Sequence, residues 1–400
     1  MKKLLVAAFA AVLAVAFVVP ASALENQFHG YWRTRAFTNQ DFSGTGSEAM
    51  DRTIVDTRTR LYWTAQINDN LKLVNKFEFN STWGDNNGGD IGSDGVGHFR
   101  VKHSYADFNW MDTNFKIGQQ PLALHRGFLF DDDFSGVTIS KKMDDLTLTF
   151  VWAKVDEGHV DFAGADDAND FDMDMYVFYP SYDLGNGMVV KALLGYLSQD
   201  KDANRDETDA FFVGVDFDAS FDAGSVWFTA IYETGDYSDV DVDAFLVALG
   251  GKYDFGDFDV HGQAFYASGE DKEDEIDYFG RTPGQSYYWA EIMGLGTFDA
   301  SASAGAPGDK ISNIIAVNVG AAFKPMDKLS LSADLWYAQL QEDNAAGDDD
   351  LGVEVDLKAT YQLVEGLNLD VVAAYLFAGD ATGNGDEDPY EIGTRLSLSF

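Results

Sequence analysis

Apolar and polar residues alternate with a period of two along most of this chain. The clearest run is 352–363. Val353, Val355, Leu357, Ala359, Tyr361 and Leu363 share one face, and Glu354, Asp356, Lys358, Thr360 and Gln362 share the other. Successive side chains of a strand point to opposite faces, so such a segment has one wall against an apolar phase and one against water. A soluble sandwich would alternate in the same way, and the connections separate the two cases. Short turns occur at 68–70, 111–114, 142–145, 183–187, 220–224, 253–257, 325–328 and 363–366. Between them lie longer polar segments at 40–51, 84–97, 123–134, 156–172, 199–207, 234–241, 268–310, 342–350 and 379–387. Eight turns alternating with nine loops correspond to about 18 strands, an even number as single-chain bacterial barrels require. A sandwich has no reason to sort loop length by parity. The expected fold is all-β: a transmembrane up-and-down antiparallel β-barrel of about 18 strands, with about 16 as the alternative count.

The chain ends fit that fold. Lys2 and Lys3 precede an apolar stretch from Leu4 to Val19, then Pro20 and the small-residue site Ala21-Ser22-Ala23. That is the layout of a cleavable export signal, so residues 1–23 are expected to be a signal peptide and 24–400 the barrel. At the other end Tyr390, Ile392, Leu396, Leu398 and the terminal Phe400 share one face.

Composition changes the picture in two places. Aromatic residues make up 14% of the chain, with 39 Gly, 7 Pro and no Cys. This favours strands and turns over acidic disorder and leaves no thiol chemistry. The net charge of −40 excludes nucleic acid as a partner, since a polyanion would be repelled. An acidic exterior suits divalent cations, and through them lipopolysaccharide.

The positive charge is unevenly placed. Residues 24–150 hold 13 Lys and Arg, against 12 in the following 250. Arg33 and Arg35 share a strand face, as do Asp56, Arg58 and Arg60, and Lys76 with Glu78 and Asn80. Arg100 and Lys102 extend the series, although His103, Tyr105 and Asp107 blur the phase there. A guanidinium on the lipid face at mid-membrane costs about 2–4 kcal/mol, so these residues are expected to face the lumen. Consecutive strands are neighbours, and the seven residues form a basic arc.

The stretch 115–120 (FKIGQQ), followed by 128–134 (FLFDDDF), resembles the fifth strand and third loop of bacterial porins, including the substrate-selective and alginate-export types. The last strand, with its terminal Phe400, resembles the segment read by barrel-assembly machinery. The resemblance implies the outer membrane of a Gram-negative bacterium, contact with lipid and lipopolysaccharide, and a homotrimer as the assembly to look for. It also implies an inward third loop near 123–134. Asp131, Asp132 and Asp133 would then face the basic arc across a constriction.

Other features add less. Asp380, Asn384, Asp386 and Glu391 match part of a calcium-loop spacing, with Thr382 where a third ligand is usual. No cofactor is otherwise expected, beyond loop-bound Ca²⁺ or Mg²⁺. The loop 268–310 is too long to be structureless; Tyr287, Tyr288, Trp289 and Ile292 are expected to pack, as a short helix over or into the mouth, with a contact between subunits as the alternative. The six histidines show no metal spacing and no catalytic motif is present, so no enzyme activity is expected. The function expected is a water-filled porin for passive diffusion of small hydrophilic solutes and ions. The alternatives are a specific export or uptake barrel for an anionic sugar or polymer, and a structural sheath for a surface redox complex.

Overall fold

The computed structural model describes residues 24–43, 51–84, 98–157, 172–200, 207–238, 240–270, 275–299, 301–383 and 387–400. The expected signal peptide lies outside them, as do most of the first, second, fourth and fifth long loops. The described strands form one closed antiparallel barrel of 18 staves. In chain order these are β1 (Glu25–Gln40), β2 (Arg52–Asn68), β3 (Leu71–Thr82), β4 (His98–Trp110), β5 (Thr113–Leu124), β6 (Phe130–Met143) and β7 (Leu146–Asp156). The eighth, β8, comes in two pieces, Met173–Phe178 and Ser181–Gly185. Then follow β9 (Met188–Gln199), β10 (Thr208–Phe221), β11 (Gly224–Tyr237), β12 (Val240–Asp254) and β13 (Phe258–Ala267). The last five are β14 (Ile314–Met326), β15 (Leu329–Gln339), β16 (Asp350–Val364), β17 (Leu367–Ala378) and β18 (Tyr390–Ser399).

β8 breaks at Pro180, which has no N–H to give to a ladder. Its carbonyl still accepts from Ala192 N at 3.0 Å, so the wall continues past the break. The seam closes where β18 pairs with β1, from Tyr31 opposite Ser399 to Gln40 opposite Tyr390. Phe400 completes it: Gly30 N donates to its carbonyl at 2.7 Å, and its own N–H donates to Gly30 O at 3.1 Å. A side chain on Gly30 would collide with the Phe400 ring, since a Cβ would lie 2.4 Å from it.

The outer wall is apolar and exposed. Leu194, Val213, Leu249, Val319, Leu335 and Leu357 are each about half exposed, which is a poor arrangement in water and the required one in lipid. Aromatic residues flank this band. Trp110, Phe221, Tyr253, Phe255 and Phe258 lie near the turns, and Trp152, Tyr176, Tyr232, Tyr337 and Tyr375 near the loops. Every predicted turn falls where a strand pair closes. Two predicted loops shrink. Segment 234–241 is mostly strand, because β11 and β12 pair up to Tyr237 opposite Val240. Segment 123–134 is the tip of a hairpin, because β5 and β6 pair up to Leu124 opposite Phe130.

Candidate functional site: the crossed lumen

The hairpin of β5 and β6 leaves the wall partway up. β4 pairs with β5 only to Gln119, and β7 pairs with β6 only to Ser135. Beyond those residues the hairpin runs on its own. Gly118 and Gly136 stand opposite each other at the departure point, and Gly118 has φ +125°, a backbone state that glycine tolerates. The tip, loop 3, crosses the barrel and docks on the far wall. His125 Nδ1 lies 2.9 Å from Asp216 Oδ1 on β10, and the same carboxylate accepts from Thr229 Oγ1 at 2.6 Å and Tyr179 OH at 3.0 Å. Arg126 pairs with Asp218 at 2.5 Å and lies over the Trp227 ring at 4.7 Å. His125 fits because it packs over Gly214; a Cβ there would be 2.3 Å from its Nε2.

Loop 7, between β13 and β14, also folds inward. Its residues Glu275–Ile276 first add a short parallel strand to β12. Among the described residues it contains no helix, so the expected helical lid is replaced by bends and turns held by side chains. Loops 3 and 7 are bonded to each other: Asp131 N donates to Gly284 O at 2.9 Å, and Gln285 Nε2 donates to Phe128 O at 2.7 Å. Phe128, fully buried, stacks on Tyr287 with centroids 3.8 Å apart. Burial pushes the Tyr287 phenol up to about 12, so it stays protonated and donates to Gln263 Oε1.

The predicted basic residues lie on the inner face of the opposite arc. Arg33 stands directly across from Arg58 in the ladder, and Arg35 across from Arg395. Like charges directly opposite are destabilising, and each clash is relieved by a carboxylate. Asp299 of loop 7 enters between the arginines, 3.3 Å from Arg33 Nη2, 3.6 Å from Arg58 Nη1, and bonded to Arg35 Nη1. Asp56 binds Arg35, Glu78 binds Arg60 at 2.7 Å, and Asp370 binds Arg395 at 2.8 Å. Phe298 anchors the segment by stacking on Phe37 at 4.8 Å.

The blurred phase of β4 has a structural cause. The register slips between Lys76 and Phe77, so that Lys76 faces His103 while Phe77 faces Val101. Lys102 is the extra residue of a β-bulge, and it and His103 point the same way. Both reach Asp133: Lys102 Nζ at 2.5 Å and His103 Nε2 at 2.8 Å. Asp132 is 3.7 Å from Lys102. Lys76 lies over the Tyr62 ring at 5.6 Å, and that ring stacks on His29 at 4.8 Å. Arg100 is exposed, opposite Glu78 in the register.

The anionic side is therefore divided. Asp131, Asp132 and Asp133 sit in β6 itself, with Asp132 and Asp133 facing Lys102 and His103, whereas the arginines face Asp299. Sequence reading missed Asp299 because a loop has no period to place it. It also missed Arg395, for which the signal was present: closure makes the last strand a neighbour of the first. The calcium-loop match falls only partly within the described residues. Asn384 and Asp386 lie outside the described residues, Asp380 is exposed, and Glu391 is buried. Among the described residues no group of three or more His, Cys, Asp or Glu is placed to hold a metal.

A closed barrel of 18 antiparallel strands with inward loops is the fold of the substrate-selective outer-membrane porins. Solved structures that share it include OccK8 (OprE) of Pseudomonas aeruginosa, at 13% identity and TM-score 0.60, covering 94% of this chain and 98% of that one. OccAB4 of Acinetobacter baumannii matches at 11% identity and TM-score 0.61 over the same shares. OpdK of Pseudomonas aeruginosa, solved with vanillate, matches at 12% identity and TM-score 0.61, again over 94% and 98%. No protein-family model matches the chain, and no curated protein does.

Proposed function

We propose that the protein is an outer-membrane channel for passive diffusion of small hydrophilic solutes, with a preference for organic anions. The observation that carries this reading is the partial neutralisation of the arc. Asp299 and Glu78 cancel part of the positive charge, yet the Arg58 and Arg60 side chains keep about a quarter to a third of their surface open (23% and 31%). Charge at the narrowest point sets ion preference. A sheath around another protein is disfavoured, since hairpin and loop already cross the interior. In this reading the outer face contacts lipid and lipopolysaccharide, and the last strand is the segment that assembly machinery reads. Planar-bilayer reversal potentials in a KCl gradient test the proposal. The Arg58→Ala/Arg60→Ala variant is expected to move the potential toward that of K⁺ with conductance retained. An unchanged potential would reject the anion preference, and a silent wild-type barrel would reject the channel.

A further inference from the structure

Away from the basic arc the lumen has a second concavity, between loop 7 and the inner faces of β13 to β16. Its volume is about 310 Å³, at the small end of ligand pockets. Its floor is a bonded pair: His261 Nε2 lies 2.9 Å from Asp334 Oδ1, and Asn318 Nδ2 donates to the same oxygen at 3.1 Å. Gly320 leaves room for that floor, since a Cβ there would lie 2.2 Å from Asp334 Oδ1 and 2.4 Å from His261 Nε2. One flank is Trp289, held by its Nε1 donating to Gly308 O at 2.8 Å and set edge-on to Trp336. The other flank is Asp356 and Lys358.

Donors and acceptors are mixed within this small space. Lys358, the amide of Gln263 and the hydroxyl of Ser332 offer donors; Asp334 and Asp356 offer acceptors. Asp356 is 8% exposed; its Oδ2 accepts from Glu291 N at 3.3 Å, and its carboxyl lies against the buried carboxyl of Glu354. Charges of both signs line it: His261 sits between Asp259 and Asp334, and the Lys358 ammonium shares the cavity with the Glu291 and Asp356 carboxylates. A strong ion of either sign would meet its own sign here. Hydroxyl groups, which both donate and accept, match the lining, and an indole flank suits the C–H face of a ring.

We propose that this cavity is a binding subsite for a neutral polyhydroxylated solute of monosaccharide size. The proposal rests on the reading of the lumen as an aqueous path, because the ligand must reach it. Two tryptophans in the lining make binding readable without conductance. Intrinsic fluorescence of the folded barrel in detergent micelles would be titrated with D-glucose and with sorbitol, folding being checked by the heat-modified band shift. Saturable quenching by at least one of them is expected. Ser332→Leu, which fills the cavity, is expected to abolish it; Asp334→Asn, which keeps the shape, to weaken it at least tenfold; Lys142→Ala, exposed beside a turn, to leave it unchanged. No saturable response to either probe, or an equal response in a folded Ser332→Leu or Asp334→Asn barrel, would overturn the subsite. Saturation by putrescine with none by the sugars would overturn it in favour of a cation pocket. A barrel that binds sugar but conducts nothing would keep the subsite and reject the channel.

Discussion

Asp299 holds three arginines of the lumen at once. It touches Arg33, Arg35 and Arg58, two of which would otherwise face each other across the ladder. Asp299→Asn keeps the volume and removes the charge. Losing one partner of a mostly buried ion network costs on the order of 2 kcal/mol after discount for its remaining exposure. The urea midpoint is expected to fall accordingly, and the reversal potential to move toward that of Cl⁻. The arginines themselves were legible, because strand alternation and the cost of a charge in lipid place them inside. Their partner was not, since no periodicity runs through loop 7. Lys102 and His103 mark another limit: a bulge puts two consecutive residues on one face, and a strict two-residue period must fail there.

The β5–β6 hairpin is the element that most changes the lumen. Its polar tip reads as a loop, yet its backbone stays paired to the end. His125, Arg126 and Gly127 all have positive φ, at 47°, 62° and 92°. Such conformations cost a non-glycine residue roughly 1–3 kcal/mol. The contacts of the tip with β10 and β11 must outweigh that strain for the crossing to persist. Replacing both side chains, His125→Ala with Arg126→Ala, removes the contacts and leaves the strain. Single-channel recordings of that variant are expected to show at least doubled conductance with added gating noise, while wild type stays quiet. The direction of the crossing could not be read from sequence, because Asp216 and Asp218 look like ordinary inner-face residues of a distant strand.

At the scale of the whole barrel, strand number and order were legible because alternation and loop parity are redundant signals. A miscounted strand would have broken both. Closure depends on fewer contacts. Phe400 makes the last two backbone bonds of the seam and rests its ring on Gly30. Deleting Phe400 is expected to lower the temperature of the heat-modified band shift and to slow folding into lipid vesicles, with the folded barrel still conducting.

The departure of the hairpin has a consequence for how the barrel sits in its bilayer. Among the described residues, β4 above Ser104 has strand partners on the β3 side alone, so the described cylinder carries a notch on this flank. Backbone amides without a ladder partner are not stable against hydrocarbon. The acyl boundary must therefore run no higher than the rim of the notch, at Gln119 and Ser135. The depth of immersion on this side is set by where a hairpin turns inward, so the same bend that divides the interior also fixes the waterline outside.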